Sequence, residues 1–341
     1  MTAYVPIDLH RHRSVVMHMA DDGEVLGWTR LANDPETLVT EVLKTGEAPE
    51  VAIEATYGWY WAVDALEAAG ANVHLVAPSK LTAFEGRRVK NDQRDCKVLG
   101  DLLRSGMLPE AWISTPQVRE WRELVRYRAK LVALRSGLKA QAHAVLAKLG
   151  VQVPMTDLFG VGGRQLLARL CADDARFHSA FGQRIESLVV LVDAFDHEID
   201  ELSTTIAHLF RDHPGYRAIQ RIDGISPVTG AILVAEIGDV TRFASPGHLA
   251  SWCGLTPRHR ESDTTIKRGP ITKQGSRLVR WAAIEAAQQL RRDSLLHQRR
   301  ERLAERRNNR KIAKVAIARR IITLTYYGLR DGHIRCLEPA A

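Results

Sequence analysis

The chain has 341 residues, enough for two domains with a core each, and its 45% hydrophobic and 26% charged content excludes a wholly disordered or fibrous protein. Four cysteines, at 96, 171, 253 and 336 and none within a CxxC, argue against a disulfide framework or a cysteine-rich zinc site. The 48 Lys+Arg exceed the 40 Asp+Glu by eight, and the excess is concentrated: residues 251–320 hold 19 basic and 6 acidic side chains, a net of +13 that leaves −5 for the remainder. That asymmetry reads as a catalytic or assembly part joined to a polyanion-binding part, with nucleic acid as the favoured partner and a solvated basic surface as the plain alternative. The opening MTAYVPIDLHRHRSVV carries charge inside its first apolar run, unlike a signal peptide. No stretch approaches the roughly 18 apolar residues of a membrane helix, so the expectation is a cytoplasmic protein with no membrane partner.

Residues 4–10, 13–19 and 24–30 read as three strands, with a helix beginning near Asn33-Asp34-Pro35. PEVAIEAT then forms a strand ending at Glu54, a helix follows from about Tyr57 to Ala69, and NVHLVAP at 72–78 is another strand. This order is that of an RNase H-like α/β domain, although other mixed sheets share it. Asp8 interrupts an apolar strand, where a carboxylate is costly unless paired or metal-bound. Glu54 closes a strand at the sheet edge where chemistry gathers. Asp92 and Asp95, three apart at the start of the helical run CKVLGDLLRSG, can point to one spot. Four converging carboxylates require a cation, and an all-oxygen site suits Mg²⁺, with two ions about 4 Å apart as the usual arrangement for phosphoryl transfer. Asp92 and Asp95 as plain helix caps, and Glu54 as a surface strand end, are the competing readings. Arg87, Arg88, Lys90 and Arg94 crowd the same loop and can hold phosphates or neutralise the acids. His10 and His12 are metal-ligand candidates in principle, but a histidine at a strand end is more often an ordinary polar residue, and both are left out of the site.

Pro116 opens a helical stretch to about Gly150 that carries many basic residues, Arg126 and Arg135 among them, and could track a nucleic-acid backbone over more than 40 Å. An ordinary amphipathic helix explains it nearly as well. GVGG at 160–163 lacks the context of a phosphate loop. Phe181, Ile185, Leu188, Val192, Phe195, Ile199, Leu202, Ile206 and Leu209 then alternate spacings of four and three, a heptad pattern that predicts a coiled coil. Its preferred role is oligomerisation, with packing on the 116–149 helix as the alternative.

Asp212-His213-Pro214-Gly215 marks a boundary, after which two helices flank the turn Asp223-Gly224-Ile225-Ser226-Pro227. The pair resembles a helix-hairpin-helix element, in which Gly224 permits the turn and backbone N–H groups face a phosphate. The segment from Arg258 to Arg277 reads as a long polar, basic loop anchored by Trp252, Leu255 and Trp281. Ser262 lies in it beside Arg258, Arg260, Lys267, Arg268, Lys273 and Arg277. These cations can stabilise a phosphorane around a hydroxyl nucleophile, a role for which Ser251, Thr264, Thr265 and Ser276 compete. Arg291–Arg320, including Arg306 and Arg310, holds 12 basic and 3 acidic residues, a basic helix pair or a groove for a phosphate backbone.

IDLHRHRSVV, VAIEATYGW and VKNDQRDCKVLGDLLRSG resemble the DEDD-type transposases of the insertion-sequence one-ten family, to which Piv-type DNA invertases are related. RIDGISPVTGAILVAEIGD, LASWCGLTPRHRESD and IKRGPITKQGSRLVRWAAIEAA are similar to that family's C-terminal domain. The resemblance implies a RuvC-like catalytic domain at 1–112, a basic helix linked to it at 113–150, a loop and coiled-coil segment at 151–212, a C-terminal transposase domain at 213–330 and a tail at 331–341. It implies Asp8, Glu54, Asp92 and Asp95 as the four acids holding Mg²⁺, and Ser262 as a nucleophile forming a phosphoserine link. The family's Ser-Ser-Gly reads Glu261-Ser262-Asp263 here, losing the first serine and the glycine. It further implies donor and target DNA as substrates, a co-encoded bridge RNA as guide, dimers assembling to tetramers, and nucleoid association in action. A RuvC-like structure-selective nuclease using the acids alone, or a non-catalytic nucleic-acid scaffold, are the competing functions.

Overall fold

Five strands pair in the order β3-β2-β1-β4-β5: β1 (Tyr4–Leu9), β2 (Arg13–Met19), β3 (Val25–Ala32), β4 (Glu50–Glu54) and β5 (Asn72–Val76). The first three are antiparallel neighbours, whereas β4 and β5 run parallel to β1. The structure is a computed structural model that describes residues 3–81 and 91–337, the Arg268 side chain excepted. The chain divides into two units, Met1–Ile113 and Ser114–Ala341.

In the first unit β1 is buried from Val5 to Leu9, as a central strand covered on both faces must be. Val5, Ile7 and Leu9 pack with Leu38 and Val42 of α1 (Pro35–Val42) and with Ala62, Val63 and Leu66 of α2 (Trp59–Ala68). Asp34 caps α1 by accepting from the Thr37 amide at 2.8 Å. The opposite face is covered by α4 (Asp92–Arg104), whose Leu99, Leu102 and Leu103 join Ala52 of β4, Val76 of β5 and Leu81 of the short α3 (Pro78–Leu81). Gly100 permits that approach, because a Cβ there would stand 2.1 Å from Met19 Sδ and 3.0 Å from Pro6 Cγ.

Among its described residues the second unit is helical except for one hairpin. Its elements are α5 (Pro116–Lys148), α6 (Val161–Asp173), α7 (Ala180–Phe210), α8 (Pro214–Gln220), α9 (Pro227–Ile237), α10 (Pro246–Trp252), β6 (Pro257–Ser262), β7 (Thr265–Ile271), α11 (Arg277–Gln288), α12 (Leu295–Arg307) and α13 (Arg310–Asp331). The heptad stripe of α7 is spent inside the chain. Ile185, Leu188 and Val192 pack with Ala142, Val145 and Leu146 of α5, and Ile206 and Phe210 share a core with Val125, so the two helices run antiparallel. Of the nine stripe residues, the end residues Phe181 and Leu209 stay exposed. The expected oligomerisation seam is thereby corrected to an intramolecular one, since a repeat of 3.5 residues does not state whether its partner helix belongs to the same chain.

The expected loop at 258–277 is also corrected. Its first part is the β6–β7 hairpin, with Ser262 opposite Thr265. Every described side chain of β6 and the tip is exposed, so no apolar alternation betrayed the strands. Among the described residues no helix is long and apolar enough to cross a membrane. All four cysteines are free thiols.

Candidate metal centre and hairpin serine

Strand alternation places Asp8 and Glu54 on one face of the sheet. Asp8 lies two residues beyond Pro6, whose ring faces α4, so its side chain projects to that same face. The parallel register Ile7↔Ile53 sets Asp8 beside Glu54, and Glu54 shares the face of Ala52, again the one covered by α4. Asp92 and Asp95 occupy the first turn of α4. The helix cap is Asn91, which accepts from the Gln93 amide at 3.1 Å, so capping does not account for the two aspartates. Asp95 Oδ2 is buried with no hydrogen-bond partner among the described residues, an atom suited to a cation.

Two residues outside the sequence-derived site enter it. His10, two positions past Asp8 on the same face, brings Nε2 to 3.2 Å from Asp8 Oδ2 and 3.6 Å from Asp92 Oδ1. Arg30 reaches Asp92 Oδ2 at 3.7 Å, and the pairing Arg30↔Val15↔Asp8 runs straight across three strands. Alternation alone put His10 within reach of notice, while Arg30 required the register of β3. Cys96, fully buried beneath, has its thiol pushed up to about 12 by burial and then by the charges of Asp8, Asp95 and Asp92. It donates to the Val15 carbonyl at 3.5 Å.

Ser262 sits in the second unit, at the tip of the hairpin. Asp263 takes the left-handed conformation (φ 51°) that the tight turn needs. Arg260 and Lys267 are directly opposite each other and share the face of Ser262 and Thr265. Like charges so placed repel unless an anion lies between them. Of the competing hydroxyls, Ser276 is engaged: it caps α11 by accepting from the Val279 amide and donates to Glu236 Oε2 at 3.0 Å.

Residues 5–150 match the DEDD_Tnp_IS110 transposase family model and residues 216–302 match the family of IS116/IS110/IS902 transposases. The chain belongs to this transposase family. It is 28% identical over 290 residues to a protein of Sinorhizobium fredii named as a transposase, covering 84% of this chain and 71% of that one. It is 25% identical to the 44.8 kDa protein of insertion element IS116 from Streptomyces clavuligerus, over 99% of this chain and 96% of that one. The pilin gene-inverting protein of Moraxella lacunata is 31% identical over 141 residues, 40% of this chain and 42% of that protein.

Within this IS110-family transposase the remaining cationic candidates divide sharply. Arg87, Arg88 and Lys90 lie outside the described residues. Arg126 and Arg135 are corrected from phosphate contacts to internal ion pairs. Arg126 clasps the buried Glu236 through Nε and a terminal nitrogen, at 2.6 and 3.2 Å, and Arg135 pairs with Asp196 of α7. Arg119, Arg122 and Arg128 likewise donate to Ser114, to the Ala235 and Glu236 carbonyls, and to Ser203. These arginines brace the helical unit. Gly224 adopts φ +86° with its Cα turned to α11, where a Cβ would meet the Ala286 carbonyl oxygen at 2.1 Å, so packing already demands glycine there. Arg258, Arg260, Lys267, Lys273, Arg277, Arg306 and Arg310 are exposed.

Proposed function

We propose that this transposase cuts and rejoins DNA through a covalent phosphoserine link at Ser262, assisted by a divalent cation, Mg²⁺ in the first instance, held by Asp8, Glu54, Asp92 and Asp95. The observation that supports the reading is that Asp8 and Asp92 meet around His10, with Glu54 on the sheet face of Asp8 and Asp95 in the same first turn of α4 as Asp92. The orphaned Asp95 oxygen and the oxygen-rich donor set fit a hard cation. When bound, such a cation polarises the attacked phosphate and stabilises the departing oxygen.

The chain's own residues supply the rest. Ser262 Oγ forms a bond to phosphorus while the bond from phosphorus to the leaving strand's oxygen breaks; the serine proton passes to water and the leaving oxygen takes one back. Rejoining runs the same exchange in reverse with a different strand end, so no ATP is consumed. Arg260 and Lys267, flanking Ser262 on its face, hold the phosphate's negative charge. The exposed tip suits a serine that meets DNA held at another subunit's acids, in a dimer that assembles into a tetramer. Arg258, Lys273, Arg277, Arg306 and Arg310 offer phosphate contacts, with Arg268 and the basic residues 87, 88 and 90 alongside. A co-encoded bridge RNA selects donor and target.

A plasmid recombination assay tests this. Cells carrying the element and its flanking non-coding sequence should yield joined products with the wild-type protein and none with Asp8→Asn or Ser262→Ala. Deletion of the flanking sequence should also abolish them. Ser262→Ala that retains DNA cleavage would point to a RuvC-like nuclease that uses the acids alone.

A further inference from the structure

His10 stands at the acidic centre on a rigid mount. Its amide donates to the Arg13 carbonyl at 3.1 Å, and its own carbonyl accepts from Asn33 Nδ2 at 2.7 Å. Asn33 is fixed in turn by the Ser14 hydroxyl at 2.7 Å. The ring therefore leaves the end of β1 from a backbone tied to the β1–β2 turn and to the segment after β3. Its Nε2, one oxygen of Asp8 and one of Asp92 lie mutually within 4.8 Å. The two separations from Nε2, 3.2 and 3.6 Å, approach the roughly 3 Å between neighbouring donors around a six-coordinate ion with bonds near 2.1 Å. His12, by contrast, is exposed two residues further on, past the end of β1.

We propose that His10 Nε2 is a further ligand of the metal centre, giving it a mixed nitrogen–oxygen donor set that favours a transition-metal ion such as Mn²⁺ over Mg²⁺. This rests on the metal-dependent reading above. Imidazole binds first-row transition ions well and hard Mg²⁺ poorly, so one nitrogen donor shifts selectivity without displacing the carboxylates. The backbone clamp on His10 supplies the outer support that such a ligand needs to hold its orientation.

The test uses the full chain with Mn²⁺ as probe, and reads binding and ligand identity rather than turnover. Mn²⁺ titration followed by electron paramagnetic resonance gives the affinity, and spin-echo modulation from a directly bonded ¹⁴N reports a histidine ligand. Wild type should bind Mn²⁺ with ¹⁴N modulation. His10→Gln should lose the modulation and bind Mn²⁺ about 10–100-fold more weakly, the range for disturbing a histidine's support at a metal site. Its Mg²⁺ affinity should change less, and thermal melting should confirm that the variant is folded. Bound Mn²⁺ without ¹⁴N modulation in wild type, or modulation that survives in His10→Gln, overturns the assignment while the carboxylate site stands. Failure of wild type to bind Mn²⁺, or binding unchanged by Asp8→Asn, overturns the underlying metal reading and His10 with it.

Discussion

Gly224→Ala separates a packing role from a phosphate-binding role at the turn between α8 and α9. The glycine holds φ +86°, a conformation that costs an L-residue about 1–2 kcal/mol. The new methyl carbon would sit 2.1 Å from the Ala286 carbonyl oxygen and 3.0 Å from its carbon, against an ordinary contact of about 3.3 Å. Backbone cannot rotate away, so α11 must move by roughly 1 Å, at an overpacking cost of about 1–3 kcal/mol. The stiffer unfolded chain returns about 0.4–1 kcal/mol. A net loss near 3 kcal/mol corresponds to a fall in Tm on the order of 10 °C for a unit of this size. Circular dichroism melts give the Tm, and fluorescence anisotropy with a labelled duplex, well below the transition, gives DNA affinity. The packing account predicts the drop in Tm with folded-state affinity retained. A Tm within about 2 °C of wild type, with weakened DNA binding, would refute it and restore the phosphate role.

Glu236→Ala removes the acceptor shared by Arg126 and Ser276; with Arg126 45% exposed and able to rehydrate, the loss should be about 2 kcal/mol by urea denaturation. A double-mutant cycle with Arg126→Ala should return a coupling near 1 kcal/mol, and a value indistinguishable from zero contradicts the internal-brace role. His74 donates one ring nitrogen to Glu50 at 2.7 Å and the other to Glu110 at 2.8 Å, tying β5 to the segment that precedes the junction of the two units. Burial opposes its charge, but the hydrogen bonds to Glu50 and Glu110 outweigh it and hold its pKa above the usual 6.5. A raised histidine pKa means that this stability is full below the unfolded value and is lost as pH rises through the folded one. Hydrogen exchange at Leu75 and Ala111 should therefore quicken beyond the intrinsic rate as pH rises above the unfolded value of 6.5, and His74→Gln should abolish that excess.

The five strands, α4 with its two aspartates and the long helices were legible because each carries an apolar run or a helical period bounded by Pro, Gly or Asn. Asp8 stood out because a carboxylate inside an apolar strand contradicts its surroundings. What stayed hidden depended on pairing. Arg30 joins the acids only through the register of β3 on β2, which no local pattern encodes. The arginines of α5 looked free because their partners lie far along the chain: Arg126 meets Glu236, and Arg135 meets Asp196. The β6–β7 hairpin is hidden for a different reason: with β6 and the tip in water on both faces, period-two hydrophobicity has nothing to record there. The heptads of α7 encode a helical seam, whereas the identity of the partner helix is a tertiary fact.

The most direct test of the account is to trap the protein–DNA link itself. The purified transposase would be incubated with Mg²⁺, its flanking-sequence RNA and end-labelled matching DNA, denatured, and digested for mass spectrometry. The account predicts a labelled protein band whose peptide carries a nucleotide on Ser262, absent in Ser262→Ala and in Asp8→Asn. Cleaved DNA ends with no protein attached, produced equally well by Ser262→Ala, would contradict it.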